Sequence, residues 1–224
     1  LHGTQRCTIL QKDGVQILCV EHVLSALSAF GVDNLLIELD SLEPPIMDGS
    51  SLAFCQKLKE AQIVQQDEQT EDLCLLKPIY ISEGDAQIVA LPSDHMKISY
   101  TLSYLNHPLL SAQFCEFDFS LEHYMEQIAP CRTFVLHEEV KILIEKGVIK
   151  GANLDHGVVI DGEKILNKGG SRFKNEMARH KALDLIGDLC LAKRRVNAHY
   201  IAIRSGHRLN TELAKKIDTL MEGF

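Results

Sequence analysis

Two stretches with a helical period of apolar residues, each followed by a short strand-like segment, set the frame of this chain. In the first, Val20, Val23, Leu24, Leu27 and Phe30 recur at three- and four-residue spacings, and Gly31 supplies a stop. Residues 35–39 then read as a short buried strand. In the second, Ser171 is the expected cap of a long helix over 172–191, and 199–204 is the strand that follows. Such helices need a partner layer for their apolar faces. Each half is therefore expected to pack a sheet on helices, in an α+β fold of two similar layered domains, 1–112 and 113–224. Between these anchors, Pro44-Pro45 and Asp48-Gly49 mark turns, 51–61 reads as a helix and 65–72 as a polar, acidic loop. Strands are expected at 78–82, 86–91 and 98–105, the last broken by Asn106-His107-Pro108. Helices are expected at 120–128, 138–146 and 211–222, with a strand at 158–160.

Composition narrows the function. The chain of 224 residues is 46% hydrophobic and 24% charged, which suits a packed globular core rather than a disordered tail. A net charge of −8 argues against nucleic-acid binding, which needs Lys and Arg to neutralise phosphates. Apolar runs stay well short of the ~18 residues of a membrane span. The seven cysteines are odd in number and no two lie two or three residues apart. That spacing points to reduced cysteines in a cytoplasmic protein rather than a disulfide framework or a thiolate zinc knuckle. The first residue is Leu1, as expected of a processed chain or a piece of a longer one.

The long second helix is the most informative segment. At about 100° per residue, Asp184 falls about 40°, Asp188 about 80° and Lys181 about 100° round from His180, so the four share one stripe. An ordinary amphipathic helix shows the same stripe to water. The alternative is half of a metal site, because His180 and Asp184 leave one face a turn apart. A catalytic zinc takes three protein ligands and leaves a position for water. His22 is the candidate third ligand, and Glu21 beside it is a natural general base. His207, in Ser205-Gly206-His207 just past a strand end, suits proton transfer. Thr133, after the break at Pro130, can donate to a developing oxyanion.

Taken in order, these segments resemble the zinc-dependent UDP-3-O-acyl-N-acetylglucosamine deacetylases of lipid A biosynthesis. The matching stretches are Val20-Glu21-His22, Gly31-Val32-Asp33-Asn34, Pro45-Ile46-Met47-Asp48-Gly49-Ser50, Asn106-His107-Pro108, Arg132-Thr133-Phe134 and Arg172-Phe173. The run Arg179-His180-Lys181-Ala182-Leu183-Asp184-Leu185-Ile186-Gly187-Asp188-Leu189 is the most diagnostic, and Ser205-Gly206-His207 with Leu209-Asn210 completes the set.

The resemblance implies hydrolysis of the 2-acetamido group with release of acetate. His22, His180 and Asp184 would bind Zn2+, and Glu21 would activate water. His207, oriented by Asp188, would serve the leaving amine, and Thr133 would stabilise the oxyanion. Lys181 would contact the substrate near its phosphates, Arg204 its pyrophosphate, and Phe134 the substrate as well. The site would lie between the two domains, with a βαβ insert at 134–159 helping to hold the acyl chain through Val140, Ile144, Val148, Ile149 and Val158. The partner would be a UDP-linked acylated amino sugar, met by a monomeric cytoplasmic protein in transient contact with the inner membrane surface. Leu105, Val135-Leu136 and Ala152-Asn153 depart from the family pattern without touching the zinc or proton-transfer groups. A non-catalytic zinc- or nucleotide-sugar-binding protein on this fold, and a metal hydrolase of another acylated sugar, are the alternatives.

Overall fold

The computed structural model describes residues 1–68, 70, 73–105, 107–145 and 154–221. The chain is a mixed α+β fold in which sheets pack against helices.

It opens with a hairpin of β1 (Leu10–Lys12) and β2 (Val15–Ile17). Asp13 and Gly14 both have positive φ, the backbone that a two-residue Asp-Gly loop needs to match strand twist. Helix α1 (Glu21–Ala29) follows. Gly31 ends it in the left-handed region, with Val32 N–H bonded to Leu27 O and Gly31 N–H to Ser28 O, a Schellman closure. The strand expected at 35–39 is absent. Leu35, Leu36 and Ile37 are exposed, Leu36 at 82%, and no described strand lies beside them to complete a ladder. Helix α2 (Leu52–Glu60) comes next.

The main sheet contains β3 (Leu73–Cys74), β4 (Ile79–Glu83), β5 (Ala86–Pro92), β6 (Lys97–Leu102), β7 (Gln113–Asp118) and β11 (Val196–Ile203). Its order is β4-β5-β11-β6-β7, with β3 parallel to β11 at the Val196 end. β11 is antiparallel to β5 and parallel to β6. β6 and β7 pair from Lys97↔Asp118 to Leu102↔Gln113. The sheet is therefore continuous across the expected boundary at residue 112, and a strand from the C-terminal half lies at its centre. The break at His107-Pro108 opens a 3-10 turn, Pro108–Leu110, after which the chain runs back as β7 beside β6.

Short helix α3 (Leu121–His123), capped by Ser120, runs on as a π-helical turn over Tyr124–Ile128. A second sheet holds β8 (Phe134–Leu136), β9 (Val158–Asp161) and β10 (Lys164–Ile165). β8 and β9 are parallel and joined through α4 (His137–Glu145), which is the βαβ insert. Val140 and Val158 are buried, whereas Val148, Ile149 and Ala152-Asn153 lie outside the described residues.

Helix α5 (Glu176–Leu189) is the spine. Asn175, not Ser171, occupies its cap, because the Glu176 carboxylate accepts the Arg172 N–H at 2.6 Å and turns the preceding residues back. Met177, Leu183, Leu185 and Ile186 are fully buried with Tyr100 and Ile98 of β6 and Tyr200 of β11. Helix α6 (His207–Met221) begins four residues before the expected start at 211, which puts His207 in its first turn.

Candidate active site

The site forms where the first turn of α1 crosses α5. The crossing is close enough that Gly187 is needed: an added Cβ there would lie 2.0 Å from the Glu21 carbonyl oxygen. Glu21 and His22 thereby face His180, Asp184 and Asp188, and α6 brings His207 to the same point. All six side chains are buried.

Asp184 sits between two imidazoles. Its Oδ1 lies 3.5 Å from His22 Nε2 and 3.4 Å from His180 Nε2, and the ligand-type atoms of the three are all within 4.8 Å of one another. The His22 and His180 rings meet edge to face, with centroids 5.0 Å apart. His180 Nδ1 is 3.1 Å from the Cys131 carbonyl. A carbonyl only accepts, so the proton is on Nδ1 and Nε2 presents a lone pair to Asp184. Burial pushes the His180 imidazole down to about 4, which keeps it neutral. Burial would raise the Asp184 carboxyl, but His180, Lys181 and His22 hold it well below the usual carboxylate range. Asp184 Oδ1 is nevertheless buried with no hydrogen-bond donor. An ionised, unsatisfied oxygen facing two imidazole nitrogens is costly unless a cation completes it. Two nitrogens and one carboxylate fit a divalent metal held by His22, His180 and Asp184.

The second cluster sets His207 between two carboxylates, Asp188 and Glu21. His207 Nδ1 is 2.9 Å from Asp188 Oδ2, and its Nε2 is 3.8 Å from Glu21 Oε1. Asp188 is held from three sides: Oδ2 also accepts Asn210 Nδ2 at 2.9 Å, and Oδ1 accepts the Thr8 hydroxyl at 2.5 Å. Thr8 N–H donates to Glu21 Oε2 at 3.0 Å, so one residue ties both carboxylates. Burial raises the Glu21 carboxyl above its ordinary value. Burial and the Lys181 ammonium lower His207, but Asp188 and Asp184 outweigh them and lift it to about 9.

A cleft of ≈ 170 Å³ opens on these groups, with Arg6, Tyr104, Thr133, Phe134 and Lys181 in its walls. Thr133 N–H donates to Gly49 O at 2.7 Å, and Phe134 packs edge to face on Tyr104 at 6.0 Å. Lys181 Nζ donates to Asp184 Oδ2 at 2.7 Å. Burial alone would lower this ammonium, yet Asp184 holds it above its usual range. Lys181 also borders an adjoining groove with Tyr100, Leu105 and Arg204. Arg204 pairs with Asp85 at 3.3 Å, away from the buried clusters.

A family model described as UDP-3-O-acyl N-acetylglycosamine deacetylase matches residues 1–219. The chain belongs to that family. A Chlamydia pneumoniae protein named UDP-3-O-acyl-N-acetylglucosamine deacetylase is 40% identical over 222 residues, covering 99% of this chain and 79% of that protein. Proteins of the same name from Chlamydia trachomatis serovar D and from a Nitratiruptor species are 41% and 39% identical. They cover 96% of this chain, and the matches span 75% and 72% of their own lengths.

Within this deacetylase fold, sequence reasoning missed Thr8, the Cys131 carbonyl, Asn210 and the close approach at Gly187. Thr8 carried no signal beyond a lone hydroxyl. Asn210 stood in the matching stretch Leu209-Asn210 without a role; it lies three residues on from His207, one turn along a helix that begins there.

Proposed function

We propose that the chain hydrolyses the 2-acetamido group of UDP-3-O-acyl-N-acetylglucosamine, giving the free amine and acetate at the committed step of lipid A biosynthesis. The observation that carries this reading is the orphaned Asp184 Oδ1 between two imidazoles, next to a separate carboxylate–imidazole pair in the same cleft. Binding alone needs no such pair. An amide is a poor electrophile and its nitrogen a poor leaving group, so its hydrolysis needs both a base and an acid.

The metal held by His22, His180 and Asp184 is zinc in this proposal. When bound it would polarise the acetamide carbonyl and lower the pKa of water towards ~7. Glu21 takes a proton from the attacking water. Its raised pKa brings it closer to neutral pH, where a general base is most effective. His207 is protonated at neutral pH, with Nδ1–H directed at Asp188 and Nε2 on the Glu21 side, 3.8 Å from Oε1. It delivers the Nε2 proton to the departing nitrogen. Thr133 donates to the developing oxyanion, and Phe134 packs against the substrate. Lys181 and Arg204 border one groove, and their charges suit the two phosphates of the nucleotide.

We place the chain in the cytoplasm as a monomer that touches the inner membrane surface to collect a lipid-tailed substrate. Among the described residues no helix is long and apolar enough to cross a membrane. The test is product identity. The purified chain is expected to release acetate, not fatty acid, and to prefer the substrate carrying UDP over the same acylated sugar without it. Glu21→Gln is expected to retain bound zinc while kcat falls by about 10²–10⁴. Release of fatty acid, or full turnover by Glu21→Gln, would overturn the assignment.

A further inference from the structure

The Arg132–Glu176 pair is deeply buried and takes no part in the chemistry above. Glu176 is fully buried in the first turn of α5, and Arg132 is 9% exposed. Glu176 Oε1 accepts the Arg132 backbone N–H at 3.1 Å and its Nε at 2.8 Å; Oε2 accepts Arg132 Nη2 at 3.1 Å and Arg172 N–H at 2.6 Å. Arg132 Nη2 also donates to Gly170 O at 2.9 Å. Stability alone is a weak reason for such an arrangement, because apolar replacements of buried ion pairs are often as stable or more so.

The geometry supplies a better one. Arg132 N–H and Cys131 C=O belong to the same peptide unit, which is rigid and planar. Its N–H faces Glu176 Oε1, and its C=O faces His180 Nδ1. Glu176 and His180 are four residues apart on α5, so they leave one face of the helix a turn apart. One planar unit is thus clamped between two side chains of one helix. The Glu176 charge polarises that peptide and strengthens its carbonyl as an acceptor. A stronger acceptor at Nδ1 fixes the ring and makes Nε2 a better electron-pair donor. Thr133 is the next residue, its N–H donating to Gly49 O and its C=O accepting from Val158 N–H, both at 2.7 Å.

We infer that Arg132 and Glu176 are positioning residues for the metal centre, acting on His180 through the Cys131–Arg132 peptide and on Thr133 through the same loop. This rests on the proposed metal site of His22, His180 and Asp184. The test uses the whole chain and three readouts: Tm of the metal-free protein, zinc Kd by competition with a chelator, and kcat and KM. Glu176→Gln keeps the shape and an acceptor oxygen but removes the charge; Arg132→Lys keeps a charge but removes the fork. Both are expected to fold, to bind zinc about 10-fold or more weakly, and to lose about 10-fold in kcat at unchanged KM. A lowered Tm with zinc Kd and kcat within twofold of the parent in either folded variant would reduce the pair to a structural role and overturn the inference. His180→Ala is the control for the underlying site. If it binds zinc as tightly as the parent, the metal assignment itself fails, independently of Glu176.

Discussion

Replacing Gly187 with alanine sets two physical effects against each other. Alanine is the better helix former, so propensity alone stabilises α5 by up to about 1 kcal/mol. The crossing with α1 opposes this. The new Cβ would lie 2.0 Å from Glu21 O, 2.7 Å from its carbonyl carbon and 2.9 Å from its Cα. Carbon–oxygen contacts settle near 3.3 Å at their closest, so the helices must part by about 1.3 Å. The obstacle is backbone on both sides, and no side-chain rotation relieves it. Overpacking of this kind costs about 1–3 kcal/mol, and with unyielding backbone on both sides the upper half of that range, about 2–3 kcal/mol, applies and outweighs the propensity gain. A net loss of about 1–2 kcal/mol lowers Tm by about 2–8 °C in a chain of this size. The catalytic effect is larger. The same shift carries Glu21 and His22 away from Asp184 and His207, and a displacement near 1 Å costs about 10² in rate. Calorimetry and steady-state kinetics on Gly187→Ala test both numbers. A Tm equal to or above the parent's, with undiminished kcat/KM, would refute the claim that this contact fixes the site.

Three further outcomes follow from the hydrogen bonds and charges around His207. Thr8→Val keeps the backbone bond to Glu21 but removes the hydroxyl from Asp188, a charge-assisted bond of about 1.5–3 kcal/mol; thermal melting should show the loss, with kcat falling more than KM changes. His207 is raised from 6.5 to about 9, so its stabilising contribution is complete below pH 6.5 and fades as pH rises to about 9. The same group should set the alkaline limb of kcat/KM near pH 9, and a pH–rate profile of His207→Gln should lack that limb while retaining low residual turnover.

The candidate site was legible where its residues share an element. His180, Asp184 and Asp188 lie on one helix, so a fixed angle per residue placed them together before any fold was known. His22 and Glu21 were open candidates from their residue types alone, and the family resemblance tied them to that helix; local pattern could not, because the α1–α5 crossing depends on Gly187, a residue whose role is the absence of a side chain. Thr8 and the Cys131 carbonyl act through long-range or backbone contacts that no local pattern encodes. Strand β7 was missed because its inward face carries Gln113 while Phe114 points outward, which blurs the alternation. The opposite error occurred at 35–39, where an apolar run looked like a buried strand. A strand needs an edge to pair with, and a local run does not report one. The continuity of the main sheet past residue 112 was not legible for a related reason: pairing of β7 back onto β6, with β11 on the other side, is a property of the whole sheet.

Under the proposed function, His22, His180 and Asp184 hold a zinc ion on which amide hydrolysis by Glu21 and His207 depends. The most direct measurement is acetate release from UDP-3-O-acyl-N-acetylglucosamine by the purified chain, before metal removal, after a chelator, and after zinc is restored. The account expects turnover that disappears with the metal and returns with about one equivalent of zinc per chain. Turnover that survives complete metal removal, or a folded, zinc-loaded chain that releases no acetate, would contradict it.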